Sequence, residues 1–225
     1  MARPAVPEPK VFLSDAQAAR GYEWYRESYF GHVTSEVLLG EKSTSYIEDP
    51  TAPARVARVL GVTEIVVLLR DPVQRAVSNW RFSTDNDLED RALETALREN
   101  LAGTKDWHRR SSSVSPYNYL ERGRYVDYLP PWFAAFPSST HVLFSQPLMD
   151  DDGVLRGLFA SLGVDPGFRP NNQGRVVNQS REPVPPLSVE LAGLLRAYFA
   201  ESDRALSQLL GRGLPWAESA ARSAG

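Results

Sequence analysis

Residues 70–80, RDPVQRAVSNW, hold the side chains best suited to chemistry in this sequence: two arginines, a serine and an acidic residue placed before a proline. They follow Ile65, Val66, Val67, Leu68 and Leu69, an unbroken branched and aliphatic run without polar alternation. Such a run predicts a central parallel strand covered on both faces. Asp71 suits a helix cap and Pro72 a first helical turn, so residues 73–82 read as a helix that springs directly from the strand. Arg70 then stands at the strand's carboxyl end, where open α/β sheets bind ligands. The unpaired N–H groups and positive dipole end of the following helix favour an anion there. Ser78 lies about two turns into that helix, on the face that includes position 71 and position 74 or 75. A guanidinium fork, a hydroxyl and free amides together fit a phosphate monoester. The same spacing also fits a plainer arrangement in which Arg70 pairs with Asp71 or caps a neighbouring helix, and spacing alone does not choose.

The elements that must position these residues follow from the pattern. Residues 10–13 read as a short strand, and Ser14 or Asp15 caps a helix running to about Phe30, with Tyr22, Trp24, Tyr25 and Tyr29 turned inward. Residues 40–47 read as a strand entering a turn, and a helix begins after Asp49-Pro50 and Pro53 and ends before Gly61. An acidic loop over 84–90 precedes a helix at 91–101, and 103–115, with Trp107, His108, Arg109 and Arg110, is too polar for core. A helix over 119–136, interrupted near Pro130-Pro131, leads to a second buried strand at 141–145. Then come a helix at 155–162 closed by Gly163, a coil through Arg175 and Asn178, and a long helix at 188–210 stopped by Gly211. The expected class is α/β, a central parallel sheet flanked by helices. With no repeat or linker, residues 1–225 read as a single domain.

Composition narrows the function. At 225 residues, 42% hydrophobic and 24% charged with a formal charge of −3, the chain reads as soluble and globular, without the basic excess of a nucleic-acid binder. The absence of cysteine excludes disulfides, thiolate chemistry and cysteine-based metal sites. The first ten residues have no signal-peptide core, and no stretch approaches the roughly 20 apolar residues of a membrane span. The expectation is a cytoplasmic protein without membrane or nucleic-acid partners.

Taken in order, several segments resemble the sulfotransferases that use 3′-phosphoadenosine 5′-phosphosulfate (PAPS), especially bacterial members related to heparan sulfate sulfotransferases. They are PEPKVFL at 7–13, GYEWY at 21–25, GEKSTSY at 40–46, the strand with RDPVQRAVSNW, RGRYVDYLPPWFAAFP at 122–137, HVLFS at 141–145 and GRGLPW at 211–216. The resemblance covers nearly the whole chain. It implies a P-loop-NTPase-like sulfotransferase fold and metal-free, in-line transfer of a sulfuryl group from PAPS to a hydroxyl or amine of a carbohydrate or small metabolite. It also implies that Arg70 and Ser78 hold the 3′-phosphate with support from Arg75, and that Glu8 is the general base. Lys42 would lie near the sulfuryl group or acceptor, Lys10 would face the acceptor, and Tyr125 would line the nucleotide pocket. Arg175 would reach the 3′-phosphate or the acceptor. A carboxylate is a weak base in water, so burial or a hydrogen bond would have to raise the pKa of Glu8.

The pattern also departs from the family. Neither GxxxxGK[ST] nor a looser Lys-Gly-Thr turn occurs, so the strand, loop and helix that grip the 5′-phosphosulfate have no counterpart, and the chain opens at what would be the second strand. The favoured expectation is truncation; a partner supplying the loop and a non-catalytic nucleotide-binding relative are the alternatives. Loss of that element would leave an apolar sheet face uncovered. Pro7 replaces a common lysine, and Gln146 stands where an acidic residue often follows the second strand. A P-loop kinase ranks last, for want of its lysine and magnesium ligands. The acceptor pocket is expected around Trp24, the acidic loop at 85–90 and residues 107–110.

Overall fold

Two strands are set among helices in the computed structural model, which describes residues 1–36, 38–104, 118–169 and 185–217. In order these are α1 (Asp15–Ala18), α2 (Gly21–Phe30), α3 (Ala52–Leu60), β1 (Ile65–Leu69), α4 (Pro72–Asp85), α5 (Leu93–Leu101), α6 (Pro130–Ala135), β2 (Thr140–Phe144), α7 (Ser145–Asp150), α8 (Asp152–Ser161) and α9 (Val189–Leu210). The strands β1 and β2 pair as neighbours in a parallel sheet flanked by helices. This is the α/β class that the sequence pattern implies. Among the described residues, no helix is long and apolar enough to cross a membrane.

Two compact units are formed by the described residues: 1–67, 128–142 and 156–166 in the first, and those of 68–127, 143–155 and 167–225 in the second. The core of the first unit gathers Val11, Phe12, Tyr25, Phe30, Val56 and Trp132. Here the chain departs from several expectations. Residues 11–13 form a single 3-10 turn instead of a strand, with Val11 and Phe12 both buried in the core of this unit. The N-terminal pairing falls earlier, in a parallel bridge between Ala2 and Leu39.

The helix expected from 14 to 30 is two helices. Ser14 caps α1 by accepting the Gln17 N–H at 3.3 Å, and α2 restarts at Gly21, whose φ of 82° suits a residue without a side chain. Tyr25 is buried, but Tyr22 faces solvent. Residues 40–47 are coil and turn, not strand, because the Glu41 carboxylate draws them inward. It accepts hydrogen bonds from Tyr25 at 2.5 Å, Tyr46 at 2.6 Å and Ser43 at 2.7 Å. Arg55 of α3 ties the unit together by donating to Asp15 at 2.8 Å, Asp49 at 3.0 Å and the Phe12 carbonyl at 3.1 Å.

In the second unit α4, α5 and α9 close around Leu97, Tyr119, Leu191, Leu195 and Phe199, all completely buried. Ser188 caps α9 by accepting the Leu191 N–H at 3.3 Å, and Gly211, with φ 63°, ends it. The continuous helix expected over 119–136 breaks into 3-10 turns at Glu121–Gly123 and Tyr125–Asp127, followed by α6. A close approach explains part of this: a Cβ at Gly123 would lie 2.8 Å from the Phe199 ring and 2.9 Å from Pro72. The second departure concerns β1. It was expected to be covered on both faces, yet Val66 and Leu68 are 45% and 54% exposed. An apolar run reads identically whether one face or two are covered.

Candidate functional site

The second unit places Arg70 directly after β1, with α4 beginning at Pro72. Its carbonyl accepts the Tyr125 hydroxyl at 2.9 Å, and its guanidinium donates to the Arg75 carbonyl at 3.3 Å. Among the described residues, no carboxylate lies within ion-pair reach of that guanidinium. Burial holds its pKa below the ordinary arginine value, against the opposing influence of Tyr125 and Asp71. Asp71 is engaged elsewhere. It caps α4 by accepting the Val73 N–H at 2.9 Å, and it takes both donors of the Arg196 fork at 2.8 and 2.5 Å. Arg70 therefore plays neither plain role, as partner of Asp71 or as cap of a neighbouring helix. It is a half-buried cation beside a helix N-terminus, with no counter-ion among the described residues.

Arg75 and Tyr125 support this position. Arg75 donates to the Tyr119 carbonyl at 3.1 Å and offers its own carbonyl to Arg70. Tyr125 is buried with its ring 6.4 Å from that of Trp216, so it packs in the core and steadies the strand end through its hydroxyl. Ser78 lies half-buried on α4. Beside them opens a cleft of about 560 Å³, at the carboxyl ends of β1 and β2, lined by Arg70, Asp71, Gln74, Phe144, Ser145, Gln146, Asp150, Arg196, Pro215 and Trp216. Gln146 donates to Asp150 at 2.7 Å. The Trp216 ring stands edge-on to Phe144 at 5.4 Å and donates its indole N–H to Asp203 at 2.9 Å.

The first unit gathers the other three candidates. Glu8 accepts from Lys42 and, at 2.8 Å, from Thr44, while the Lys10 ammonium lies 3.7 Å from its carboxylate. The Lys10 amide donates to the Ser43 hydroxyl at 3.2 Å. Glu8, Lys10 and Ser45 have φ angles of 52°, 56° and 75°, a left-handed conformation that side chains disfavour. Strain of this kind, on the order of 1–3 kcal/mol per residue, collects at functional sites. The charge state of Glu8 differs from expectation. Burial raises its pKa, but hydrogen bonds from Lys42 and Thr44 and the charges of Lys42 and Lys10 outweigh that, leaving it below the ordinary carboxylate value.

Searched against protein-family models, the sequence matches none. It is 24% identical over 235 residues to mouse heparan sulfate glucosamine 3-O-sulfotransferase 3B1, covering 93% of this chain and 57% of that protein. It is 26% identical over 238 residues to mouse bifunctional heparan sulfate N-deacetylase/N-sulfotransferase 4, covering 92% of this chain and 27% of that protein. The chain thus spans about half or less of the length of these curated relatives. A crystal structure of a sulfotransferase from Alicyclobacillus acidocaldarius superposes with a TM-score of 0.74 at 21% identity, over 94% of this chain and 86% of that one. The fold is that of a sulfotransferase.

On this sulfotransferase fold the expected residues sort unevenly. Arg70, Arg75 and Tyr125 form one connected set in the second unit, and Glu8, Lys10 and Lys42 form another in the first. Arg175 and residues 107–110 lie outside the described residues. The acidic loop is partly structural, since Glu89 is buried and accepts from Arg91 at 2.7 Å and from the Tyr119 hydroxyl at 3.0 Å. Sequence reasoning missed Arg196. Its signal was present, because Ala192, Gly193, Phe199 and Ala200 leave it no acidic neighbour at helical spacing. Trp216 was noticed only as part of GRGLPW, and its place in the cleft wall depends on tertiary structure.

Proposed function

We propose that this chain is a PAPS-dependent sulfotransferase that moves a sulfuryl group to a hydroxyl or amine of a carbohydrate or small metabolite. The observation that carries this reading is Arg70: a half-buried guanidinium without a described carboxylate partner, at the carboxyl end of a parallel strand and beside a helix N-terminus. A phosphate monoester supplies the missing charge. Arg70 and Ser78 bind the donor's 3′-phosphate, Arg75 holds the Arg70 guanidinium through its carbonyl, and Arg175 adds a further cation.

Glu8 accepts the proton of the attacking hydroxyl or amine. The new oxygen–sulfur or nitrogen–sulfur bond forms as the bond from sulfur to the bridging phosphate oxygen breaks, and adenosine 3′,5′-bisphosphate leaves. Lys42 and Lys10 offset negative charge on the sulfuryl oxygens. While Lys42 is bound to Glu8 it keeps that carboxylate a poor base; a Lys42 that turns to the sulfuryl group frees Glu8 to take the proton. No metal takes part in these steps. The carbohydrate acceptor is supported by the relatives, whose names place their chemistry on heparan sulfate, one at oxygen and one at nitrogen.

Radiolabelled sulfate transfer from PAPS to a panel of heparan-type oligosaccharides and amino sugars tests the reaction. Labelled product that disappears in Glu8→Gln supports it. Labelled product at equal rate in Glu8→Gln contradicts the assigned base.

A further inference from the structure

An anion site built next to an aspartate has a competition to resolve. Asp71 follows Arg70 in sequence, and an unoccupied Asp71 carboxylate would be a nearby counter-ion for the Arg70 guanidinium. In the structure, both Asp71 oxygens are taken by the Arg196 fork, at 2.8 and 2.5 Å, and one of them also caps α4 through the Val73 N–H at 2.9 Å. Arg196 reaches this position from α9, 125 residues further along the chain, and lines the same cleft as Arg70. The Asp71 side chain is only 10% exposed, whereas that of Arg196, on the cleft side, is 38% exposed. Asp203, two turns further along α9, accepts from the Trp216 indole and is not the partner of Arg196. Arg70, meanwhile, donates to a neutral carbonyl.

We infer that Arg196 is a positioning residue that occupies Asp71 and so keeps Arg70 free for phosphate. The inference rests on the reading of Arg70 as the 3′-phosphate ligand. Bidentate pairing matters, since a guanidinium fork satisfies both carboxylate oxygens at once and a single point charge does not. Without Arg196, Asp71 turns to Arg70, and an incoming phosphate must displace it.

Calorimetric titration with adenosine 3′,5′-bisphosphate tests this on the whole chain, comparing wild type with Arg70→Ala, Arg196→Met, Asp71→Asn and the double variant Asp71→Asn/Arg196→Met. Arg196→Met should weaken binding about tenfold or more, as expected when a charged acceptor competes for the site. Asp71→Asn, which keeps a capping side chain, should bind at least as tightly as wild type. The double variant should return to within about threefold of wild type, because the competing charge is gone. If the double variant stays as weak as Arg196→Met, Arg196 acts by direct contact or by general support of the fold, and the inference is overturned. It is equally overturned if Arg196→Met binds like wild type while Arg70→Ala does not bind. Failure of wild type to bind, or equal binding by Arg70→Ala, overturns the underlying reading of Arg70 instead. Should Arg196→Met not fold, Arg196→Lys must show a smaller loss that Asp71→Asn reverses, and the absence of that reversal again counts against the inference.

Discussion

The Arg70 cradle and the Glu8 cluster are assembled on opposite principles. The cradle sits on regular elements, a strand end and a helix start, and its key cation has no described counter-ion. The Glu8 cluster sits on turns bent by left-handed residues, and its charges satisfy one another through Lys42, Lys10 and Thr44. One region leaves its cation without a described counter-ion. The other surrounds its one carboxylate with two ammonium groups, so that Glu8, if it is the base as proposed, takes a proton only when these partners turn away. On the proposed roles, a phosphate ligand can stay fixed, whereas a general base must change protonation in each turnover.

The comparison is broken most severely by Glu8→Gln. If Glu8 is the general base, sulfuryl transfer should fall about 10²- to 10⁴-fold in kcat, with nucleotide affinity little changed. Next is Arg70→Ala, for which adenosine 3′,5′-bisphosphate affinity should fall about 10- to 100-fold, the size of a lost hydrogen bond to a charged group. Gly123→Ala probes the packing behind the cradle. Its new Cβ meets Phe199 at 2.8 Å and Pro72 at 2.9 Å, so a loss of about 1–3 kcal/mol should appear in thermal unfolding.

Lys42→Met sharpens the contrast through the titration of Glu8, where the expected shift is the smallest of these effects. Glu8 has its pKa depressed below the ordinary 4.5 by partners led by Lys42. A depressed carboxylate contributes stability above its unfolded pKa and loses it as pH falls through the folded one. Removing Lys42 should therefore shrink that acid-side loss and move the Glu8 midpoint upward. Carboxyl titration followed by NMR reads the midpoint directly, and the acid limb of kcat/KM should move in the same direction. An unchanged midpoint would mean that Lys42 does not hold Glu8 in solution.

Much of the cradle was legible in the sequence because it rests on local rules. IVVLL makes a strand, Asp71 and Pro72 start a helix, and Ser188 and Gly211 bound another, each by chemistry within a few residues. The errors lie where distant contacts overrule local preference. Glu41 gathers Tyr25, Ser43 and Tyr46 and turns a candidate strand into coil, and the close approach of Phe199 to Gly123 lies where a candidate helix breaks. The lowered pKa of Glu8 was illegible for the same reason, since Lys42 stands 34 residues away. Arg196 lay within reach of sequence reasoning as an unpartnered helix arginine, but its target did not. The exposure of Val66 and Leu68 could not be read at all, because an apolar residue does not reveal what covers it.

The central claim is that Arg70 binds the 3′-phosphate of the sulfuryl donor. Calorimetric titration of wild type and Arg70→Ala with adenosine 3′,5′-bisphosphate tests it most directly. The expected result is one saturable site in wild type that is lost or weakened at least about tenfold in the variant. Equal binding by the two proteins, or no binding by wild type, would contradict it.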